Sequence, residues 1–444
     1  MYGVTYGYIL IPHNFLLGVL AHAWAQKLFS KQFRGGSIVA IEFTMIQSIG
    51  IAVVLLMLGL WLKQRIYFFE RFAIPAPVIG GFLFAIINLV LHQTGILEIT
   101  FDTTLQSFFM VIFFTTVGYG ASLKVLRAAG PKVMLFLVVA LVLTILQNVV
   151  AVGLAPLVGV DAQLALMTGS VSMTGGHGVS GGIAPLVEEG GVTGAETVAY
   201  TAATFGLVIG SLMGGPLANR LILKNKLMDK ASAEVDIDES ILQHVSRKLR
   251  GDAVLHAFVM ILVAMLLGSF LTDAMNYLVG LLTDKAAFPL YFGSMIVAII
   301  LRYINDSREQ KMYKELVPTQ EVEIIGVIGL NFFLAMALMN IKLWELAELA
   351  IPMLILLLAQ TILMWLFANF VTFRVMGRDY DAAVLTAGHC GFGMGATPNG
   401  MANMDSVVTK FKESKLAFFI LPIIGGMFID FANIVNILVF LNLA

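Results

Sequence analysis

The chain has very little charge and almost no cysteine. Of its 444 residues only 12% are charged, where a soluble protein carries roughly a quarter, and 59% are apolar, with a mean hydropathy of +0.90. So little polar surface cannot cover soluble domains of this length, which excludes a water-soluble fold. The single Cys390 excludes an internal disulfide, and the net charge of -1 gives no basic excess for nucleic acid. The composition indicates an all-α polytopic membrane protein.

Twelve stretches that lack charged residues, apart from Asp430 in the last, are long enough, or nearly so, to cross a hydrocarbon core, which needs about 20 apolar residues as a helix. They run over residues 43–62, 74–93, 103–123, 133–158, 162–187, 197–219, 253–272, 286–301, 324–341, 349–373, 382–404 and 416–442. All 27 Lys and Arg residues lie outside these stretches. The cations in the connections therefore carry the information on topology.

The positive-inside rule favours ten crossings and two re-entrant hairpins. If residues 162–187 and 382–404 enter the membrane and return on the same side, 22 of the 24 cations after residue 42 lie on one side. Each half then has five crossings, so the second half is inverted relative to the first. The first hairpin opens from outside and the second from the cytoplasm. We expect an N-terminal extension at 1–42, which forms either an extra membrane-spanning helix or a helix at the membrane surface. The two inverted repeats follow at 43–224 and 253–444, joined by a cytoplasmic linker at 225–252.

Faint internal symmetry agrees with two inverted repeats. Pro131 and Pro352 open corresponding crossings 221 residues apart, and Asn148 and Asn369 recur at the same spacing. The dipeptide Gly-His stands at 176 and again at 388.

Two glycine-rich runs interrupt the predicted hairpins, MTGGHGVSGG at 173–182 and AGHCGFGMGATP at 387–398. Glycine is a poor helix former, and irregular backbone at membrane depth is tolerated only where it is buried in protein or lines a watery cavity. Each run predicts a broken helix, with free N–H groups for an anionic substrate at one end and free C=O groups for Na⁺ at the other. The alternative is that these glycines only allow close helix packing.

Several polar residues inside the predicted crossings are candidate Na⁺ ligands. Asp430 is the only acidic residue well inside a crossing, and Asn433 follows three residues later on the same helix face. Gln147, Asn148 and Asn369 extend the set. The alternatives are a protonated Asp430 that hydrogen-bonds a neighbouring helix, and amides that only hold helices together.

Two other readings of the polar residues stay open. His177, His389 and Cys390 do not amount to a transition-metal site, which needs three or four converging ligands, so we expect the histidines to shape the breaks or contact substrate. The run Gly178-Val-Ser-Gly has the G-x-S-G form of an intramembrane serine protease, with Ser180 as nucleophile and His389 as base. A channel is the third class of function considered, beside a carrier and a protease.

Four longer runs resemble the bacterial sodium/glutamate symporter family: IPAPVIGG at 74–81, ATFGLVIGSLMGGP at 203–216, FFLAMALMNIKLWEL at 332–346 and GHCGFGMGATP at 388–398. The resemblance covers residue 43 to the C-terminus. It implies Na⁺-driven uptake of L-glutamate across the bacterial inner membrane, two inverted five-crossing repeats with re-entrant hairpins, a homodimer, and no cofactor other than Na⁺ as coupling ion.

By motif, the resemblance implies substrate-binding residues in both hairpins. They are Thr174, Gly175, Gly176, His177, Gly178 and Ser180 in the first, and Gly388, His389, Gly391, Gly393, Gly395, Thr397 and Pro398 in the second. The family's first hairpin often reads Ser-Gly-Gly-His-Gly-Thr, whereas here Thr174 replaces the serine and Val179-Ser180 stand where threonine would. Aspartate, another di- or tricarboxylate, and coupling to H⁺ therefore remain alternatives.

Overall fold

The computed structural model describes residues 39–95, 97–128, 130–229, 249–281, 288–307, 317–347 and 349–443. Residues 1–38 of the predicted extension and residues 230–248 of the predicted linker lie outside this part of the chain. The described residues are helical apart from one small sheet.

Two strands and seventeen α-helices follow one another along the described chain, with short 3₁₀ helices at Leu227–Asp229 and Leu343–Leu346. They are β1 (Val39–Phe43), α1 (Met45–Arg65), α2 (Tyr67–Arg71), α3 (Ala76–Gln93), β2 (Leu97–Phe101), α4 (Thr104–Gly120), α5 (Leu123–Ala128), α6 (Pro131–Val158), α7 (Ala162–Leu166), α8 (Gly176–Glu189), α9 (Ala195–Lys224), α10 (Gly251–Gly280), α11 (Leu290–Ser307), α12 (Thr319–Met339), α13 (Ala350–Val375), α14 (Tyr380–Gly393), α15 (Thr397–Val408), α16 (Lys415–Ile423) and α17 (Ile429–Leu443). A π-helical turn (Ala368–Thr372) lies inside α13, and another (Ile424–Phe428) joins α16 to α17.

Each of the twelve apolar stretches overlaps one helix or one broken pair of helices. Within the described residues seven helices are long and apolar enough to cross a membrane, and the pair α16–α17, bent by 47°, makes eight. Helix α4 is shorter at 17 residues, and α11 carries Arg302 and Asp306 near its end. A multi-span helical protein is therefore confirmed.

Proline and glycine set the ends of the long helices. Pro131 stands at the first position of α6, where its missing N–H leaves no hydrogen bond unmade. The same helix ends at Gly159, whose φ of 71° gives the left-handed cap that glycine adopts without strain. These signals were visible in the sequence and explain why α6 matches its predicted stretch.

The parallel two-stranded sheet was not expected. Strand β1 includes residues 39–42 of the predicted extension, which are therefore extended and not helical. It pairs with β2 in register, from Val39 opposite Leu97 to Phe43 opposite Phe101. Both strands are rich in apolar and β-branched residues, and the Phe43 and Phe101 rings stack with centroids 5.3 Å apart. The sheet joins the beginnings of α1 and α4.

Helices from the two halves of the chain are packed into each other. In the first half, α4 packs against α11 and α12 of the second, while α9 packs against α14 and α15. The contact of α9 is very close: a Cβ added at Gly206 would lie 2.1 Å from the carbonyl oxygen of Met394. The break between α14 and α15 is therefore built directly onto a helix of the other half.

Candidate functional site

The first break spans residues 167–175, between α7 and α8. Its hydroxyl side chains contact carbonyl groups of the preceding turn: Thr168 Oγ1 donates to Ala165 O at 2.8 Å and Ser172 Oγ lies 2.5 Å from Met167 O. Such local bonds compete with a continuing helix. The predicted break at 173–182 is thus wrong in position, because Gly176 to Gly182 already belong to α8. The hydroxyl-rich run at 168–174 was the missed signal.

The second break is much shorter and covers only residues 394–396, between α14 and α15. Gly388, Gly391 and Gly393, which the sequence placed in the break, lie inside α14. Gly388 packs against the Met404 side chain, and a Cβ at Gly391 would lie 2.6 Å from the backbone of Asn399. These glycines let the two limbs of the second hairpin approach each other, which is the packing role weighed as the alternative.

The two breaks meet at one point. Gln147 of α6 donates from Nε2 to the carbonyl oxygen of Gly393 at 2.7 Å, and its Oε1 lies 2.8 Å from the hydroxyl of Thr174. That hydroxyl also lies 3.3 Å from Gly393 O. Gly176 has a φ of 57°, and a Cβ there would lie 2.5 Å from the carbonyl oxygen of Gly395. Only glycine fits at this contact between the halves.

Ser170, in the middle of the first break, is held by amide side chains from two helices. Its N–H donates to Asn148 Oδ1 at 2.8 Å, and its carbonyl accepts from Asn433 Nδ2 at 3.0 Å. All three residues are fully buried. Asn148 Nδ2, Ser170 Oγ and Asn433 Oδ1 have no hydrogen-bond partner in the described part of the chain. One donor, one acceptor and one hydroxyl are therefore available to a ligand beside the break.

Of the remaining Na⁺ candidates, some lie close to the cluster around Ser170 and one does not contact it. Asp430 lies three residues before Asn433 on α17, is partly buried, and is within electrostatic range of Tyr291. Gln360, which sequence reasoning missed, donates from Nε2 to the backbone carbonyl of Gln147 at 2.8 Å. Asn369 lies in the π-helical turn of α13, and in the described residues no hydrogen bond joins it to the other candidates.

The two histidines occupy similar settings in the two hairpins. His177 Nε2 lies 3.0 Å from Thr204 Oγ1 on α9, and His389 Nδ1 lies 2.9 Å from Thr372 Oγ1 in the α13 turn. Both imidazoles are buried. Among the described residues, no group of three His, Cys, Asp or Glu side chains could hold a metal ion. The histidines link each hairpin to a neighbouring helix.

The predicted nucleophile Ser180 is not paired with a base. Its hydroxyl lies 3.1 Å from Ser172 Oγ, and within the described residues no hydrogen bond joins it to His389. Of the two second-hairpin candidates beyond the break, Thr397 contacts Gly425 of the second π-helical turn, and Pro398 is exposed. The serine protease arrangement is therefore absent from the described residues.

Comparison with known proteins gives a consistent result. A profile of the sodium/glutamate symporter family matches residues 41–413. The sodium/glutamate symporter of Escherichia coli (strain K12) is 38% identical over 396 residues, which are 88% of this chain and 96% of that protein. The symporter of Haemophilus influenzae is 37% identical over 395 residues, 88% of this chain and 95% of that protein.

Among solved structures, a sodium proton antiporter from Methanocaldococcus jannaschii is similar with a TM-score of 0.39 and 15% identity. The match covers 90% of this chain and 96% of the antiporter. This similarity is too distant to bear on the site.

Proposed function

The chain belongs to the sodium/glutamate symporter family, and we propose that it takes up L-glutamate together with Na⁺ by alternating access. The observation that carries the proposal is the contact of the two breaks at Thr174, Gln147 and Gly393, next to the partnerless polar groups around Ser170. A ligand bound there touches both halves of the chain. Rocking of one half against the other then exposes the same ligand to either side of the membrane in turn.

The substrate carboxylates bind at the first break. No side chain caps the start of α8 at Gly176, so its first N–H groups and the helix dipole favour an anion there. The free Asn148 Nδ2 adds a donor, and the Thr174 hydroxyl, which donates to Gln147 Oε1, positions the break. His177 and Ser180 stabilise the break through their hydrogen bonds with Thr204 and Ser172 and do not contact the substrate. Gly393 at the end of α14 and Gly395 in the second break form the opposite wall.

The coupling Na⁺ binds the oxygen atoms on the other side of the Ser170 peptide. Asn433 Oδ1 and Ser170 Oγ are buried acceptors without a donor, and Asp430 supplies a carboxylate one helical turn away. The oxygens of Asn148 and Gln147 already accept hydrogen bonds, so these two residues position the break. An anion alone is costly in a dry site, whereas an anion with Na⁺ is nearly neutral, which links the two binding events.

Inverted repeats with re-entrant hairpins are part of the proposal, and contacts between the ends of the helices support them. Ser122 hydrogen-bonds Asp306, and Lys410 Nζ lies 3.2 Å from Asn219 Oδ1; all four lie in, or next to, connections assigned to the cytoplasm. If all twelve stretches crossed, Ser122 and Asp306 would lie on opposite sides of a core about 30 Å thick.

Contacts on the other side follow the same assignment. The ring of His92 stacks on that of Trp344 with centroids 3.9 Å apart, and Thr197 Oγ1 lies 3.4 Å from Glu345 Oε2. All four residues lie in, or next to, connections assigned to the outside. The repeat boundaries at 43–224 and 253–444, the cytoplasmic linker at 225–252, the bacterial inner membrane and the homodimer complete the proposal.

Uptake of radiolabelled L-glutamate into proteoliposomes tests the function. We expect saturable accumulation above equilibrium under an inward Na⁺ gradient, and only background uptake when K⁺ or choline replaces Na⁺. Equal uptake in choline would contradict Na⁺ coupling and leave an H⁺-coupled dicarboxylate carrier. Uptake that stops at equilibrium under the Na⁺ gradient would indicate a channel.

A further inference from the structure

A cavity of about 390 Å³ opens at the ends of several helices, away from the breaks. It is lined by the start of α4, the end of α8, the starts of α9 and α11, and the segment after α12. Each of these parts borders a connection that the charge pattern assigns to the outside. The cavity reaches Gly181 and Gly182 on α8. Gly181 lies five residues from the first residue of α8, which is about 8 Å along the helix.

The cavity is lined by more acidic than basic side chains, and only some of them are free to bind a ligand. Three are carboxylates, Glu188, Glu189 and Glu196, and one is the ammonium of Lys342. Glu188 Oε2 accepts the backbone N–H of Glu196 at 3.0 Å and is therefore already engaged. The Glu196 carboxylate makes no hydrogen bond in the described part of the chain, and Lys342 Nζ lies 3.8 Å from Glu345. This separation is long for an ion pair and the Lys342 side chain is 52% exposed, so the pair is weak and Lys342 is accessible to a ligand.

Gln106 supplies a second, independent observation on the same cavity. Its side chain lines the cavity and is only 8% exposed, and its Oε1 has no hydrogen-bond partner in the described residues. A buried amide oxygen without a donor is unfavourable for the folded protein. A ligand that brings an N–H donor into the cavity removes this deficit. The cavity thus offers acceptors for a cationic head group and a lysine for an anionic one.

We propose that this cavity is an entry site that recognises the amino-acid head of the substrate before it reaches the breaks. The ammonium group binds between the Glu196 carboxylate and Gln106 Oε1, and a carboxylate of the substrate binds Lys342. A dicarboxylate without an amino group meets three carboxylates with only Lys342 to offset them, so the cavity selects amino acids. This inference rests on the proposed function and explains how glutamate is separated from other dicarboxylates.

The first test compares Glu196→Gln with Glu189→Gln in Na⁺-driven glutamate uptake. Glu189 borders the same cavity but is exposed, so its variant has the same charge change without the proposed contact. We expect Glu196→Gln to raise the KM for glutamate about tenfold with little change in the maximal rate, as for loss of a hydrogen bond to a charged group. The Glu189→Gln variant should stay within about twofold of the parent.

Competition by 2-oxoglutarate, which has a keto group in place of the amino group, gives the selectivity directly. In the parent protein, 2-oxoglutarate should inhibit uptake of radiolabelled glutamate much more weakly than unlabelled glutamate does. In Glu196→Gln the ratio of the inhibition constant of 2-oxoglutarate to that of glutamate should fall about tenfold. An unchanged ratio, or equal changes in Glu189→Gln, would overturn the entry site, because a general negative field acts alike through both residues.

Gln106→Met separates recognition from folding. Replacing a partnerless buried amide with an apolar side chain of similar size should leave the melting temperature unchanged or raise it. A raised KM for glutamate with unchanged melting therefore supports a ligand contact, and an unchanged KM contradicts it. If the parent shows no Na⁺-driven uptake, the proposed function fails. Calorimetric titration of the purified parent and Glu196→Gln with glutamate and 2-oxoglutarate then still tests the cavity.

Discussion

The two glycine-rich segments, which the sequence predicts to be hairpins, have similar sequences but different structures. The first is interrupted over nine residues, and the amides of Asn148 and Asn433 hold its backbone at Ser170. The second is interrupted over three residues, and its backbone packs directly onto α9 at Gly206. The difference indicates that glycine content alone does not make a binding site. Buried polar atoms without a partner lie near both breaks, among them His389 Nε2 and Asn399 Oδ1 at the second, but only at the first do three of them belong to residues that share one hydrogen-bonded backbone position, Ser170.

Gly176→Ala should have the largest effect, because it separates the two breaks. Alanine at a φ of 57° costs about 1 kcal/mol, and its Cβ would lie 2.5 Å from Gly395 O. We expect glutamate uptake in proteoliposomes to fall about 100-fold, as misplaced groups do in other sites. Gly153→Ala on α6, where a Cβ meets no atom within 4 Å, is the control. Near-normal uptake by Gly176→Ala would show that the two breaks need not touch.

Asn148→Ala and Asn403→Ala compare one amide at each hairpin. Asn148 holds the first break, and Asn403 Nδ2 donates to Gly210 O at 2.9 Å beside the second hairpin. Each loss should lower stability by about 1–3 kcal/mol, since a buried backbone group loses its partner. Only Asn148→Ala should also raise the KM for glutamate, by about tenfold. Equal KM values for the two variants would remove the functional difference between the hairpins.

Asp430→Asn tests whether Na⁺ binds beside the first break, with the Asp430 carboxylate as one of its ligands. Loss of the carboxylate should raise the Na⁺ concentration for half-maximal uptake about tenfold, with a smaller change in glutamate KM. Asp405→Asn, an exposed position on α15 of the second hairpin, is the matched control. Unchanged Na⁺ activation in Asp430→Asn would return this residue to a structural role.

Ser180→Ala should have the smallest effect. The hydroxyl pairs with Ser172 inside the first hairpin, so its removal should cost about 1 kcal/mol of stability and leave uptake within about twofold. Ser406→Ala in the second hairpin, whose hydroxyl donates to Asn403 O, should behave in the same way. A proteolytic activity that Ser180→Ala abolishes would instead favour the serine protease.

Much of the fold could be predicted from the sequence. The charge-free stretches identified every long helix of the described chain, because the cost of placing charge in lipid forces cations into the connections. Proline and glycine gave the ends of α6. The positions of the two breaks could not be predicted from the charge pattern or from single prolines and glycines. Glycine is tolerated within helices where neighbours pack closely, as at Gly391, so a glycine count does not locate a break.

The candidate site was predicted in part. Asn148 and Asn433 were chosen as isolated polar residues, and they do lie together, but their joint partner Ser170 was missed. Residues 148, 170 and 433 are brought together only by tertiary packing, which no local pattern encodes. Their orientation also decides chemistry: Asn148 leaves a donor free and Asn433 an acceptor. Residue type alone suggested that both were Na⁺ ligands.

The parallel pairing of β1 with β2 bears on how the protein is made. Two long helices, α1 and α3, and the short α2 lie between the strands, and the strands run in the same direction at the same end of the two long helices. The sheet can close only after the chain has left that side of the bilayer and returned. Strand pairing is therefore a late event for this part of the chain. It joins α1 and α3 to α4, and all of these elements are synthesised before the second half of the protein.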